Sequence, residues 1–237
     1  RFGVRGLWPK APKLQLVRGL VHGGGMLLWF AALPTVAIAE LTAIGFSVPL
    51  FICLGAVLFL NERMTGARWV AVLVGFSGVL LVVHPFEAGG FTVISAGMLL
   101  MLASGPVFAG SFLVAKVLTR GDRTDVMVFW QHLVGSLALL PFALVLWTAP
   151  SPGQWALLAV CGIFGAGGHY CMVRAFRVAD ISAVQSVRFL ELVWAAILGF
   201  LMFGSAPEGW TLAGGMLILA STLWLARSES RVSPVRA

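Results

Sequence analysis

Three polar residues lie close together within one long apolar run. The run is Ile181–Phe203, and it contains Gln185, Arg188 and Glu191. At 3.6 residues per turn, Arg188 and Glu191 lie one turn apart on the same face of a helix. A charged side chain at bilayer depth costs about 3 kcal/mol or more, so it faces a protein interior or a water-filled path. The spacing predicts a binding site for a charged ligand or, as the alternative, a local pair that satisfies itself.

Composition places the chain in a membrane. Hydrophobic residues make up 59% of the 237 residues and charged residues 11%, whereas soluble domains contain about 25% charged residues. The three cysteines, Cys53, Cys161 and Cys171, lie in apolar runs, with no CxxC motif and no histidine at ligand spacing. We therefore expect no disulfide, no metal site and no cofactor.

Eight apolar runs predict eight transmembrane helices and an all-α polytopic membrane protein. Spans begin at about 17 residues, and helix ends deduced from sequence are uncertain by a few residues. Pro49, Pro106 and Pro141 fall inside these runs and predict kinks. The runs are Arg18–Leu33, Ile38–Leu60, Trp69–His84, Thr92–Leu118, Val126–Trp147, Gln154–Val173, Ile181–Phe203 and Trp210–Ala226.

The basic residues predict the orientation of these helices. Of the 16 lysines and arginines, all but Arg188 fall in the amino-terminal segment, in alternate connections or in the carboxy-terminal tail. The other connections, near Pro34, Pro85, Pro150 and Pro207, contain none. The positive-inside rule predicts cytosolic termini in a cell membrane of the bacterial inner-membrane type. The net charge of +7 is thus a topology signal, and we expect no nucleic-acid partner.

The chain also contains an internal repeat at a shift of 143 residues. This shift sets Leu33–Phe51 on Phe176–Trp194, and it pairs Gly24 and Gly25 with Gly167 and Gly168. We expect an incomplete first unit of three helices at 1–86, a second unit of five helices at 91–228 and a cytosolic tail at 229–237. By the same repeat, two further helices are expected before Arg1. Units with an odd number of helices enter the membrane from opposite sides, which predicts an inverted repeat with a binding site between the units.

A longer segment resembles a known family. Ile44–Val82, IGFSVPLFICLGAVLFLNERMTGARWVAVLVGFSGVLLV, is similar to the helix, acidic-loop and glycine-rich-helix signature of the EamA-type drug/metabolite transporter superfamily. The spacing from Pro49 to Glu62 is the most specific part, and at the repeat position of Glu62 the second unit has Ser205. The resemblance implies ten helices in two five-helix repeats. The segments LVRGLVHGGGMLLWFAAL and VRFLELVWAAI further resemble the branch that contains S-adenosylmethionine uptake transporters.

Helix depth brings further residues toward the charged pair. In the functional interpretation Glu191 meets a cationic group of a substrate, Arg188 meets a carboxylate or phosphate, and aromatic rings hold a flat moiety. We predict a substrate site made of Gln185, Arg188, Glu191, Trp130, Gln131, His132, His169, Tyr170 and Trp194.

Coupling and gating residues are predicted with open alternatives. Glu40 is either a gate or coupling carboxylate or a solvated residue at a helix start. His22 and His132 either relay protons or are hydrogen-bonded interior histidines. Glu62 is either a loop residue that pairs with Arg63 or Arg68, or a lock between helices.

The favoured function is secondary transport of a small polar metabolite by alternating access. The partners expected are the substrate, the lipid bilayer and, for assembly, a second copy in a homodimer. The chain has no HExxH, GxSxG or Asp-rich metal pattern, so we do not expect an enzyme. The alternative is a non-transporting membrane subunit or a truncated, inactive transporter fragment.

Overall fold

The structure is helical throughout the part of the chain that it describes. It is a computed structural model that describes residues 4–36, 41, 44–83, 95–203 and 209–232. Within these ranges, a 3-10 turn at Val4–Leu7 precedes nine α-helical segments. They are α1 (Pro12–Ala32), α2 (Val48–Leu60), α3 (Gly66–Val83), α4 (Ala96–Leu118), α5 (Thr124–Val145), α6 (Pro152–Val178), α7 (Ile181–Arg188), α8 (Leu190–Phe203) and α9 (Gly209–Val232).

The helices confirm the predicted fold class. Each of the eight apolar runs contains helix within the described ranges. Three helices, α4, α5 and α6, are by themselves long and apolar enough to cross a membrane, and α2, α3 and α9 provide shorter apolar helices. Large apolar side chains such as Leu137 and Ile163 are exposed, at 58% and 71%. These apolar helices make the chain a multi-pass membrane protein.

The run that carries the charged pair is not one continuous helix. The structure divides Ile181–Phe203 into α7 and α8 at Phe189, whose ring is fully buried. Gly75 of α3 provides the space for this ring, because a Cβ atom on Gly75 would lie 2.5 Å from Phe189 Cδ2. Glycine at position 75 thus allows the Phe189 ring to pack against α3, directly after Arg188.

The run Ile38–Leu60 also contains a helix that begins partway along the run. Its α2 portion begins at Val48, and Pro49 occupies the first turn, where its missing N–H costs no helical hydrogen bond. The helix ends at Asn61 in the left-handed conformation, with φ 54°, which asparagine tolerates better than most residues. Pro49 therefore starts a helix here, and it does not kink one.

Helices that are distant from each other in the sequence pack together. α1 packs on α4 and α5, α2 packs on α4 and α7, and α3 packs on α9. The α3–α9 approach is close, since a Cβ atom on Gly78 would lie 2.9 Å from the carbonyl oxygen of Gly214. A core of buried residues from α2, α4, α5, α6 and α7 includes Ile52, Phe112 and Phe176. The unit boundaries at 86 and 91 and the inverted repeat stay predictions.

Candidate functional site

A cavity of about 610 Å³ lies among α1, α2, α4 and the break between α7 and α8. Small-molecule sites commonly occupy about 300–1,000 Å³. Three lining residues, Arg188, Glu191 and His22, are charged or titratable. The others are mainly apolar and aromatic: Trp29, Leu33, Leu41, Gly45, Phe46, Val48, Pro49, Met101, Ser104, Phe108 and Phe112.

Arg188 and Glu191 form an ion pair on the wall of this cavity. Arg188 Nε donates to Glu191 Oε1 over 3.2 Å, and the guanidinium carbon lies 5.7 Å from the ring centre of Phe112. The Arg188 side chain is 24% exposed and that of Glu191 is 57% exposed. Both interpretations of the pair are compatible with this geometry. The two charges neutralise each other locally, and the Glu191 carboxylate remains accessible to a ligand.

Gln185 contacts the guanidinium of Arg188 from the preceding turn of the helix. Its side chain is fully buried, and its Oε1 accepts a hydrogen bond from Arg188 Nη1 over 3.4 Å. Its Nε2 has no hydrogen-bond partner among the described residues. Because Gln185 lies one turn before Arg188, the same stretch of helix supplies the charge and the group that fixes its direction.

A second polar cluster surrounds Arg18 on α1. Its buried guanidinium donates from Nη1 to the carbonyl of Met127 over 3.0 Å and from Nη2 to Gln131 Oε1. Arg18 Nε and Gln131 Nε2, both donors, have no partner among the described residues. From its place at the start of an apolar run, Arg18 is expected only as a topology charge. Its spacing of four from His22, one helical turn, is the signal that places both residues on the same face.

Three histidines from three helices form a row next to this cluster. The ring centres of His22 and His169 are 5.5 Å apart, and those of His169 and His132 are 5.2 Å apart. His22 lies on the cavity wall and is buried, whereas His132 is exposed. Within the described ranges no group of His, Cys, Asp or Glu side chains has the arrangement of a metal site. The row connects the cavity with the outer surface of α5.

The remaining predicted residues lie elsewhere. Trp130 Nε1 donates to the carbonyl of Leu7 over 2.8 Å and its ring packs against Trp8, so it fastens the amino-terminal turn to α5. Tyr170 and Trp194 are 42% and 62% exposed and do not line the cavity. Glu40 lies outside the described residues. The aromatic rings at the cavity are instead those of Phe46, Phe108 and Phe112, together with Trp29.

Charged residues form a linked belt at one end of the molecule. Lys116 Nζ donates to the carbonyl of Ala179, Arg68 pairs with Asp180, and Glu62 accepts from Ser182. The Asp122 carboxylate accepts from the Lys10 backbone N–H, and its carbonyl accepts from Arg177. We call these residues the basic belt: Lys10, Glu62, Arg68, Lys116, Asp122, Arg177, Asp180 and Ser182. The connections that the sequence assigns to one side of the membrane thus meet in space.

Comparison with known proteins identifies the family. A model of the EamA-like transporter family matches residues 4–84 and 95–227. The chain belongs to the EamA-like transporter family. This confirms the resemblance found in the sequence, and it makes the chain a membrane transporter.

The names of similar proteins refer to several different transported compounds. An S-adenosylmethionine uptake transporter of Rickettsia bellii is 31% identical over 230 residues, which cover 97% of this chain and 78% of that protein. A riboflavin transporter of Rhizobium johnstonii is 32% identical over 236 residues, which cover 98% and 76%. A pseudopaline exporter of Pseudomonas aeruginosa is 28% identical over 217 residues, which cover 91% and 75%.

A solved structure shares the architecture of this EamA-family chain. The crystal structure superposes with a TM-score of 0.83 at 20% sequence identity, covering 98% of this chain and 82% of the other. At this identity the likeness shows the fold alone. A shared fold does not identify the transported compound.

Proposed function

We propose that this transporter moves a small zwitterionic metabolite with a flat ring system by alternating access, and that S-adenosylmethionine is its substrate. The observation that carries the proposal is the pair of opposite charges, Arg188 and Glu191, on the wall of an otherwise apolar and aromatic cavity. A zwitterion offers one group to each charge. S-adenosylmethionine carries an amino group, a sulfonium, a carboxylate and an adenine ring, and a relative bears its name.

Recognition follows from the exposure of the two charges. Glu191 is the more exposed member of the pair, so it receives the cationic group of the substrate. Arg188, held by Gln185, receives the carboxylate. Phe46, Phe108 and Phe112 stand where stacking would hold the adenine ring. A charged pair in a low-dielectric wall exchanges its internal contact for two contacts with the ligand, which keeps both charges compensated.

Coupling and orientation complete the proposal. We assign His22 as the coupling residue, because it lies on the cavity wall and contacts His169. Gln131, His132 and His169, with Trp130, Tyr170 and Trp194 outside the cavity, remain candidates for later steps of transport. The distribution of the basic residues, all of which except Arg188 fall on one predicted side, supports a cytosolic position for the basic belt and both termini. Glu40 stays a candidate for the opposite end.

A second candidate cargo is riboflavin. The cavity wall is largely aromatic and apolar, which suits an uncharged tricyclic ring, and a relative is named for it. This candidate makes no use of the opposite charges of Arg188 and Glu191. The two cargoes therefore differ in their dependence on that pair.

Flux in proteoliposomes tests the proposal. Labelled S-adenosylmethionine and labelled riboflavin are each offered to vesicles that contain the transporter and to vesicles without protein. We expect saturable uptake of S-adenosylmethionine that excess unlabelled compound abolishes and riboflavin leaves unchanged. Saturable riboflavin uptake with no flux of S-adenosylmethionine would replace the first candidate by the second.

A further inference from the structure

We propose that Glu62 and Arg68 form a one-sided latch that keeps the transporter closed at the basic belt and leaves the cavity accessible from the opposite face. The latch joins the α2–α3 connection and the first turn of α3 to the start of α7. The inference rests on the proposed alternating-access mechanism, and it adds the element that sets which side is open when no substrate is bound.

Glu62 caps α7 from a distant part of the chain. Its Oε1 accepts from the backbone N–H of Ile181 over 3.0 Å. Its Oε2 accepts from the backbone N–H of Ser182 over 3.3 Å and from Ser182 Oγ over 2.9 Å. A helix start has unsatisfied N–H groups and a positive dipole end, so a carboxylate bound there is stabilised by both. The left-handed Asn61 turns the chain out of α2 immediately before this contact.

Arg68 reaches the same helix start. Its Nη1 donates to Asp180 Oδ2 over 2.8 Å and to Ser182 Oγ over 3.2 Å. The Arg68 side chain is 13% exposed and that of Asp180 is 51% exposed, so the ion pair is partly open to water, whereas the contact of Arg68 with Ser182 is partly buried. Two residues of the first half of the chain thus hold three consecutive residues of the second half, 180–182.

The cavity lies away from this contact. Along α4, its lining residues extend from Phe112, six residues before the helix ends at Leu118, to Met101, 17 residues before that end. At helical rise these positions are about 9 and 26 Å from the belt end of α4. The lining also includes Leu33, which is 41% exposed. None of the lining residues that the structure describes belongs to the basic belt.

In the predicted repeat, the positions equivalent to those of the latch have no charged residue. The 143-residue shift sets Ser205 at the position of Glu62 and Thr211 at the position of Arg68. It sets Ala37 and Ala39 at the positions of Asp180 and Ser182. Side chains of these types cannot form an ion pair. An inverted repeat with a charged latch at one end only has unequal free energies for its two closed ends, and the latched end stays closed more of the time.

Side-specific labelling of the cavity tests the latch without the need for any substrate. Cys53, Cys161 and Cys171 are replaced by alanine, and Phe108→Cys places one thiol on the cavity wall at a half-buried position. Gly121→Cys and Gly153→Cys, made separately, report the two faces, because a Cβ atom at either glycine has nothing within 4 Å. A membrane-impermeant maleimide is added from each side of oriented vesicles, and the labelling rate of position 108 is measured from each.

With the latch intact, we expect position 108 to react at least about tenfold faster from the face that Gly153→Cys marks. Glu62→Gln and, separately, Asp180→Asn weaken contacts to charged groups and should lower this ratio about tenfold or more. The matched control is Asp125→Asn. It weakens the exposed Arg123–Asp125 ion pair, which lies near the same belt and does not link the two halves of the chain. The control should keep the wild-type ratio.

The outcomes separate the latch from the proposed cargo. A ratio that stays unchanged in both Glu62→Gln and Asp180→Asn, with protein in the membrane, would overturn the latch even if S-adenosylmethionine is transported. A ratio that falls in these variants and not in Asp125→Asn supports the latch even in vesicles that transport riboflavin instead. Faster labelling from the belt face, in protein that keeps Glu62, Arg68 and Asp180, would also overturn the latch.

Discussion

The guanidinium of Arg188 lies 3.2 Å from the carboxylate of Glu191, at the point where the helix that carries both is interrupted. Both residues line the same cavity. Charged side chains within membrane spans commonly face a protein interior or a water-filled path.

Arg188→Gln should make the transporter insensitive to the carboxylate of its substrate. The substitution keeps a hydrogen-bonding side chain and removes the positive charge. We expect the KM for S-adenosylmethionine to rise about 10- to 100-fold, while inhibition by its decarboxylated analogue changes little. An equal loss for both compounds would show that Arg188 supports the cavity without contacting the carboxylate.

Phe112→Leu should weaken substrate binding without stopping transport. Phe112 lies under the Arg188 guanidinium and also packs against Phe176 in the core. Loss of its ring should raise the KM about 2- to 30-fold, with a smaller change in the maximal rate. Phe142→Leu is the control, because Phe142 is 52% exposed and does not line the cavity; the same rise in KM there would contradict the assignment.

Gly75→Ala should destabilise the protein by crowding the ring of Phe189. The added Cβ atom would overlap the ring of Phe189, and overpacking of this kind costs about 1–3 kcal/mol. Gly24→Ala is the matched control, because a Cβ atom at Gly24 meets nothing within 4 Å and alanine favours the helix by about 0.5–1 kcal/mol. Thermal unfolding in detergent compares the two. A melting temperature for Gly75→Ala equal to or above that of Gly24→Ala would contradict the packing argument.

His22→Gln should separate driven uptake from exchange. If His22 couples transport to protons, an inward proton gradient accelerates uptake by the wild type and not by the variant, whereas exchange of labelled for unlabelled substrate persists in both. Ser111 Oγ lies 3.4 Å from His22 Nδ1, and glutamine can keep a polar contact at this place. Equal acceleration of the wild type and the variant would remove His22 from coupling.

The sequence was sufficient to predict the helices and the charged pair, for simple physical reasons. Arg188 and Glu191 are conspicuous because charges are rare in apolar runs, and their spacing alone sets them on one face. The packing of the Phe189 ring could not be predicted, since it depends on the space that Gly75 leaves on a helix more than a hundred residues earlier. A local pattern contains no record of such tertiary contacts.

The same limit explains the other differences at the site. Phe46, Phe108 and Phe112 are ordinary residues of apolar runs, and only packing shows that they surround a cavity. Arg18 sits near the start of its run, where a basic residue is expected for topology, and its burial against Gln131 follows from how α1 packs on α5. Trp130 contacts Leu7, a long-range contact that helix depth did not predict.

The most direct test of the central claim is counterflow of labelled S-adenosylmethionine in proteoliposomes that contain the wild type, Glu191→Gln or Asp125→Asn at equal amounts of inserted protein. Counterflow needs only binding and the change of access, so it isolates recognition from any driving gradient. We expect Glu191→Gln to lose at least about thirtyfold in rate, since removal of one charge leaves its partner group unpaired. Asp125→Asn should match the wild type. Wild-type counterflow in Glu191→Gln would contradict the assignment of the Arg188–Glu191 pair as the substrate site.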